Sequence, residues 1–242
     1  MANHFELELQ ASYMLAPEVR HLVFKRVDAS VLPFIPGQFL QVHFSHADTP
    51  TKRSYSLAST PGAELLEIAV SYVDGGAATR LFANLQHGEQ IQASGPYGRF
   101  CLMDADRNSR YLLVGTGTGI TPYRAMLPRI AELIATRGLK VALIQGARTE
   151  DELLYGEEFA AFATAHPNFS YFACLSRGYR ANKAGDRHGR VQVVFDELQL
   201  DPALDIAYLC GNPNMVDESF TKLKELGFAV SAVRREKYVS SK

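Results

Sequence analysis

The chain has 242 residues, 47% hydrophobic and 21% charged, with 25 Lys plus Arg against 26 Asp plus Glu, a formal net charge of −1. This ordinary composition excludes extensive disorder and argues against a polybasic nucleic-acid binder, while the length suits two domains. No apolar run approaches the roughly 18–20 residues of a spanning helix, and MANHFELELQ lacks a secretory apolar core, so a soluble, cytoplasmic protein with no membrane partner is expected.

From Phe5 to about Cys101 the sequence reads as short strands parted by turns. ELELQASYML alternates, RHLVFKRV is rich in branched apolar residues, and PGQFLQVHF follows a Pro36–Gly37 turn. RSYSLAS, ELLEIAVSYV and EQIQASGPYG continue the pattern, with one short helix, ATRLFANLQ, whose Leu81, Phe82 and Leu85 share a face. Closely spaced strands of this kind predict an antiparallel barrel or sandwich.

After about Asp104 the pattern changes. YLLVG leads into a helical stretch, TPYRAMLPRIAELIATRG, interrupted at Pro128 and closed by Gly138. KVALIQGA is followed by TEDELLYGEEFAAFATAHP, read as helical to Pro167. FSYFACL, a polar loop, RVQVVFDELQL, IAYLCG, a helix from Pro213 to Gly227 and FAVSAVRREKY complete the chain. Apolar strands alternating with helices predict a parallel sheet covered on both faces. The polar DADRNSR marks the boundary, giving domains of residues 1–104 and 105–242.

Metal chemistry finds little support. Cys101, Cys174 and Cys210 lie 73 and 36 residues apart, too few and too scattered for an iron–sulfur cluster or a disulfide framework. His43 and His46 sit three apart on a strand and point to opposite faces. No metal is expected.

Nucleotide chemistry is better supported. In YLLVGTGTGITP an apolar strand runs into Gly115, Gly117 and Gly119 and then a helix start, a loop whose N–H groups can approach a pyrophosphate. Arg53-Ser54-Tyr55-Ser56 places a guanidinium, an aromatic ring and two hydroxyls on one strand; read alone, a polar edge strand accounts for them equally well. Gly75-Gly76-Ala77-Ala78-Thr79 opens the short helix with a second anion-friendly start.

Together Arg53-x-Tyr55-Ser56, the Gly76–Thr79 helix start, Gly115-Thr-Gly-Thr-Gly-Ile-Thr-Pro122 and Cys210-Gly211-Asn212-Pro213 resemble, in order, the motifs of the ferredoxin–NADP⁺ reductases, bacterial type. The resemblance implies a two-domain fold: an N-terminal antiparallel barrel holding FAD, then an α/β parallel-sheet domain holding NADP(H), with a C-terminal tail at the flavin. It makes Arg53 the flavin pyrophosphate ligand, beside Ser54, with Tyr55 packed by the flavin and Ser56 bonded near the reactive N5. Ile68, Ala69 and Val70, in the segment to Ser71, flank the flavin. Gly76, Ala77, Ala78 and Thr79 add donors to its phosphates. Thr116 and Gly117 meet the NADP pyrophosphate, and Cys210 positions the nicotinamide without acting as a nucleophile. Glu236-Lys237-Tyr238 resembles the closing Glu-x-Tyr of plant-type members, which gives Glu236 a proton-positioning role and Tyr238 a place over the flavin ring, although four residues follow it.

Arg148 and Ser176-Arg177 follow the second and third strands of the α/β half, with Arg190 further on, and they resemble contacts to an adenosine 2′-phosphate, favouring NADP over NAD; Glu150 is a nearby acidic residue. The implied activity is electron transfer between NADP(H) and a ferredoxin or flavodoxin, as a monomer meeting its carrier transiently. A free-flavin reductase and a reductase module for an oxygenase share the same two-domain plan.

Overall fold

The computed structural model describes residues 4–178 and 185–239. They form two compact units, one of residues 4–102 with 121–126, the other of Met103–Ile120 with Leu127–Val239.

The first unit is an antiparallel sheet of β1 (His4–Ala16), β2 (Val19–Arg26), β3 (Phe39–His46), β4 (Thr49–Ser56), β5 (Leu65–Ser71) and β6 (Gln90–Tyr97), with α1 (Ala77–Asn84) after β5. The spatial order is β4-β3-β6-β1-β2-β5. The two edges meet just past β4: Leu57 bridges Ile68, and the Ala58 N–H donates to the Glu67 carbonyl at 2.8 Å. The sheet therefore curls on itself, yet β4 upstream of Leu57 keeps an open outer edge among the described residues. Alternating inward residues, among them Leu7, Leu22, Phe24, Leu40 and Val42, pack with Phe82 of α1. Each such side chain contributes about 1.5–3 kcal/mol when withdrawn from water.

The second unit is a parallel sheet of β7 (Arg110–Thr116), β8 (Lys140–Ala147), β9 (Phe169–Leu175), β10 (Asp186–His188), β11 (Asp205–Gly211) and β12 (Val233–Lys237). Its order is β10-β9-β8-β7-β11-β12. From β7 the chain builds outward to β10, then returns to add β11 and β12 on the other side. The pair β7/β11 is therefore the point where strand order reverses. Leu112, Leu113 and Val114 are fully buried, as expected of a central strand covered on both faces. The helices are α2 (Thr121–Arg137, whose residues to Met126 count with the first unit), α3 (Gly156–Ala165), α4 (Val193–Glu197) and α5 (Pro213–Glu225).

Several local expectations change. Pro128 does not interrupt α2, which runs on to a left-handed cap at Gly138; the ring faces solvent and removes a single rung of the helical ladder. The stretch read as one helix to Pro167 is a 3₁₀ turn, Glu150–Glu152, followed by α3. Tyr155, at φ +57°, breaks the two apart. RVQVVFDELQL supplies the short α4. The polar DADRNSR segment is anchored within the second unit. Asp106 accepts from Arg234 Nη2 at 2.7 Å and from the Tyr208 hydroxyl at 2.9 Å, and Arg234 also bonds Tyr208.

Burial alone would raise the Asp106 carboxyl, but the bonds from Arg234 and Tyr208 hold it below its ordinary range. Such a group stabilises the fold above its unfolded-state value of about 3.9, and the contribution is lost as pH falls through the lower folded value. Asp106→Asn is expected to destabilise the protein by about 1–3 kcal/mol at pH 7. Urea unfolding at pH 7 and pH 3 checks this: the difference between variant and wild type shrinks at pH 3.

Candidate nucleotide-binding sites

In the first unit, β4 pairs with β3 so that Tyr55 lies opposite Leu40 and Arg53 opposite Val42. Alternation along the strand puts Arg53 and Tyr55 on one face, shared with these buried residues, and Ser54 and Ser56 on the other. Tyr55 meets Phe82 edge to face at 5.4 Å, and burial pushes its hydroxyl well above the usual phenol range. Arg53 Nη1 bonds only locally, to the Lys52 carbonyl at 3.0 Å. Ser56 is buried, and so are Ile68, Ala69 and Val70 on β5.

Gly76 precedes α1, and no side chain caps that helix. The first helical bond is Arg80 N–H to the Gly76 carbonyl, which leaves the N–H groups of Ala77, Ala78 and Thr79 at the open end. The Thr79 hydroxyl is occupied: it accepts from the Val73 N–H at 2.9 Å and donates to the Val73 carbonyl. A Cβ on Gly76 would approach the Val73 carbonyl oxygen to 2.9 Å, so glycine lets this turn close tightly. An uncapped helix start, a guanidinium and an open strand edge fit a ligand with a pyrophosphate and a planar polar ring.

In the second unit, the expected residues all leave the carboxyl edge of the sheet. Thr116–Gly117 follows β7, Arg148 follows β8, Ser176–Arg177 follows β9, Arg190 follows β10, Cys210 ends β11, and Glu236 and Tyr238 close β12. The reversal between β7 and β11 is the place where open parallel sheets hold nucleotides. There the two loops are clasped. Asn212 N–H donates to the Thr116 hydroxyl at 3.1 Å, a Cβ on Gly211 would lie 2.5 Å from the Thr116 carbonyl oxygen, and one on Gly119 would lie 2.3 Å from that of Cys210. Gly117, at φ +53°, has open space where its Cβ would be. The start of α5 is already satisfied, since the Asn212 side chain accepts from Asn214 and Met215 N–H groups. No side chain caps α2.

Cys210 is fully buried, and burial, reinforced by the Glu236 charge, raises its thiol well above the ordinary value. It is a neutral, buried packing group, unsuited to nucleophilic attack. Glu236 pairs with Cys210 across the strands, and burial raises its carboxyl. A raised carboxyl takes up a proton more readily than a surface glutamate. The Tyr238 N–H donates to the Gly211 carbonyl at 2.8 Å, so its half-buried ring starts from the end of β11. Residues 240–242, the rest of the expected tail, lie outside the described residues.

The arginines are not equivalent. Arg177 N–H donates to the Arg148 carbonyl at 2.7 Å, bringing these two residues and Ser176 together. Arg148 grips Glu152, while Arg190 is drawn to Glu218 of α5 at 2.7 Å. Sequence reading passed over Glu152, Gly211 and Asn212 as site residues. The last two lie within a quoted motif, but only the β7/β11 clasp gives them a role. No group of acidic, histidine or cysteine side chains among the described residues forms a metal site, and no described helix is long and apolar enough to cross a membrane.

The oxidoreductase FAD-binding domain family matches residues 6–101, and the oxidoreductase NAD-binding domain family matches residues 113–219. The chain is 35% identical over 223 residues to ferredoxin–NADP reductase B of Sorangium cellulosum, covering 89% of each protein. It is 33% identical to the reductase component of phenol 2-monooxygenase from Pseudomonas sp. strain CF600, over 87% of the chain and 59% of that protein. The crystal structure of Amycolatopsis cytochrome P450 reductase GcoB superposes with a TM-score of 0.87 at 28% identity, covering all of the chain and 71% of that protein.

The β7/β11 clasp separates two kinds of glycine. Gly211→Ala combines a φ of +123° with a backbone collision and is expected to cost about 2–4 kcal/mol of stability. Gly117→Ala meets no neighbour, costs about 1–2 kcal/mol of backbone strain, and acts mainly by weakening nucleotide binding. Chemical unfolding alongside NADP⁺ titration distinguishes the two; equal stability losses would contradict this division.

Proposed function

Because the chain belongs to the ferredoxin–NADP⁺ reductase family of FAD- and nicotinamide-dependent oxidoreductases, we propose that it transfers electrons between NADP(H) and a ferredoxin or flavodoxin. The observation that carries this reading is the 35% identity, over 89% of both chains, to a ferredoxin–NADP reductase. With only three scattered cysteines, these 242 residues hold no four-thiolate cluster, so the single-electron acceptor lies outside them.

Bound FAD would supply the redox chemistry, taking two electrons from NADPH as hydride and passing them on singly. The chain's part is to hold and orient. Arg53 and the open N–H groups of α1 would neutralise the flavin's pyrophosphate; Ser54, whose side chain takes the opposite face of β4, would contribute only its backbone there. Tyr55, propped on Phe82, would present a fixed aromatic edge, and the backbone from Ile68 to Val70 would border the ring. Ser56, buried at the end of β4, would hydrogen-bond near N5. In the second unit the backbone of Thr116 and Gly117 would receive the nicotinamide nucleotide's pyrophosphate. Cys210 would set the nicotinamide's position as an uncharged thiol. Glu236, with its raised carboxyl, would hold a proton, and Tyr238 would serve as a ring cover. Arg177 and Arg148, with Ser176 and Arg190, would read the 2′-phosphate.

A second reading, reductase partner of an oxygenase, is favoured by the 33% identity to a monooxygenase reductase component. The acceptor separates the two. Purification, absorbance spectroscopy and stopped-flow reduction with NADPH and NADH test cofactor retention and nucleotide choice; turnover with added ferredoxin or flavodoxin tests the carrier. Arg53→Ala is expected to weaken FAD retention by about 1.5–3 kcal/mol, the worth of a charge-assisted bond. Replacing Arg148 and Arg177 together is expected to raise the NADPH Kd far more than the NADH Kd. Equal losses for both nucleotides would remove the 2′-phosphate assignment.

A further inference from the structure

Arg148 and Arg177 leave adjacent strand ends, but their charges are differently committed. Among the described residues no carboxylate is paired with Arg177, which is exposed. Arg148 is held by one carboxylate three times over: its Nε donates to Glu152 Oε1 at 2.6 Å, its Nη2 lies 2.6 Å from the same oxygen, and its backbone N–H donates to Oε2 at 3.0 Å. A guanidinium fork combined with a main-chain N–H is an anion-binding set, and the chain's own glutamate fills it. Glu152 can do so because Thr149 turns the chain into the 3₁₀ segment Glu150–Glu152, which folds the carboxylate back on the strand end. The Arg148 side chain is 54% exposed, so the pair stands at the surface, where such a contact is weak enough to be exchanged.

We propose that Glu152 is a specificity-determining residue, an internal competitor that occupies the anion set of Arg148 and yields it to the 2′-phosphate of NADPH. The proposal rests on the reading that Arg148 and Arg177 meet that phosphate. With NADH, which has no 2′-phosphate, Glu152 keeps its place, and Arg148 is not left as an uncompensated cation beside a ribose hydroxyl. With NADPH, the phosphate must displace a carboxylate and then sit near a like charge. The glutamate thus lowers NADPH affinity below what the two arginines alone would give, leaves NADH untouched, and narrows the preference between them. Arg177, with no such competitor among the described residues, provides the standing attraction for the phosphate.

The test is calorimetric titration of the full chain with 2′,5′-ADP and with ADP, for wild type, Glu152→Gln and Arg148→Ala. Glu152→Gln is expected to bind 2′,5′-ADP about three- to fivefold more tightly, the equivalent of one surface ion pair, with ADP unchanged within about twofold. The gain should shrink at high ionic strength, since it is a charge effect near the surface. A purely structural role for Glu152 would move both ligands together, and that result would overturn the proposal. Weaker or unchanged 2′,5′-ADP binding in Glu152→Gln, with a selective loss in Arg148→Ala, would overturn the competitor role while leaving the 2′-phosphate reading standing. An Arg148→Ala variant that binds both ligands as wild type does would remove the underlying reading and the proposal with it.

Discussion

The reversal of strand order at β7 and β11 is the constraint on which the second unit depends. Two parallel strands whose following segments diverge leave a crevice at their carboxyl ends, and the loops there must approach each other without side chains between them. Gly119 and Gly211 meet that demand by lacking the Cβ that would strike backbone oxygen at 2.3 and 2.5 Å. The Thr116 hydroxyl then accepts from the Asn212 N–H, so one residue serves both the end of its strand and the neighbouring loop. Asn212 in turn caps α5, so the first N–H groups of that helix are already engaged, whereas no side chain caps α2 after the glycine loop of β7.

The first unit reaches a comparable result by other means. Its sheet closes just past β4, at Leu57 and Ala58, and the open edge upstream carries Arg53, Tyr55 and Ser56. Here too helix capping decides what is available: α1 has no side-chain cap, and the Thr79 hydroxyl that stands nearest is spent on Val73. In both units backbone donors remain where a phosphate would need them, because the local side chains are either absent or engaged elsewhere.

Much of this was legible in the sequence because it rests on local pattern. Short alternating segments before Cys101 and continuous apolar runs such as YLLV report whether one or both faces of a strand are covered. Glycine at 115, 117 and 119 reports a loop with restricted geometry. What stayed hidden depends on partners distant in the chain or on turns without the usual residues. Asp106 finds Arg234 across 128 positions, so DADRNSR read as a bare boundary. The β3–β4 turn uses Ala47 and Asp48 at φ +47° and +58°, with no glycine to announce it. Glu152 is only four residues from Arg148, yet the helical reading of that stretch gave no reason to expect a 3₁₀ turn folding it back. Tyr155 in the left-handed region, which breaks the stretch, is an equally poor signal, because tyrosine seldom adopts it.

The burial of every cysteine has a practical side. Cys101, Cys174 and Cys210 are all enclosed, which keeps their sulfurs from an alkylating reagent or a peroxide, and burial also pushes the Cys174 thiol up to about 12 and the Cys210 thiol well above its ordinary value. Maleimide chemistry should therefore pass over the native protein. One cysteine added on an exposed strand or helix would become its sole reactive thiol. A fluorophore, a spin label or an electrode tether could then be attached at a chosen point, with all three native sulfurs left in place.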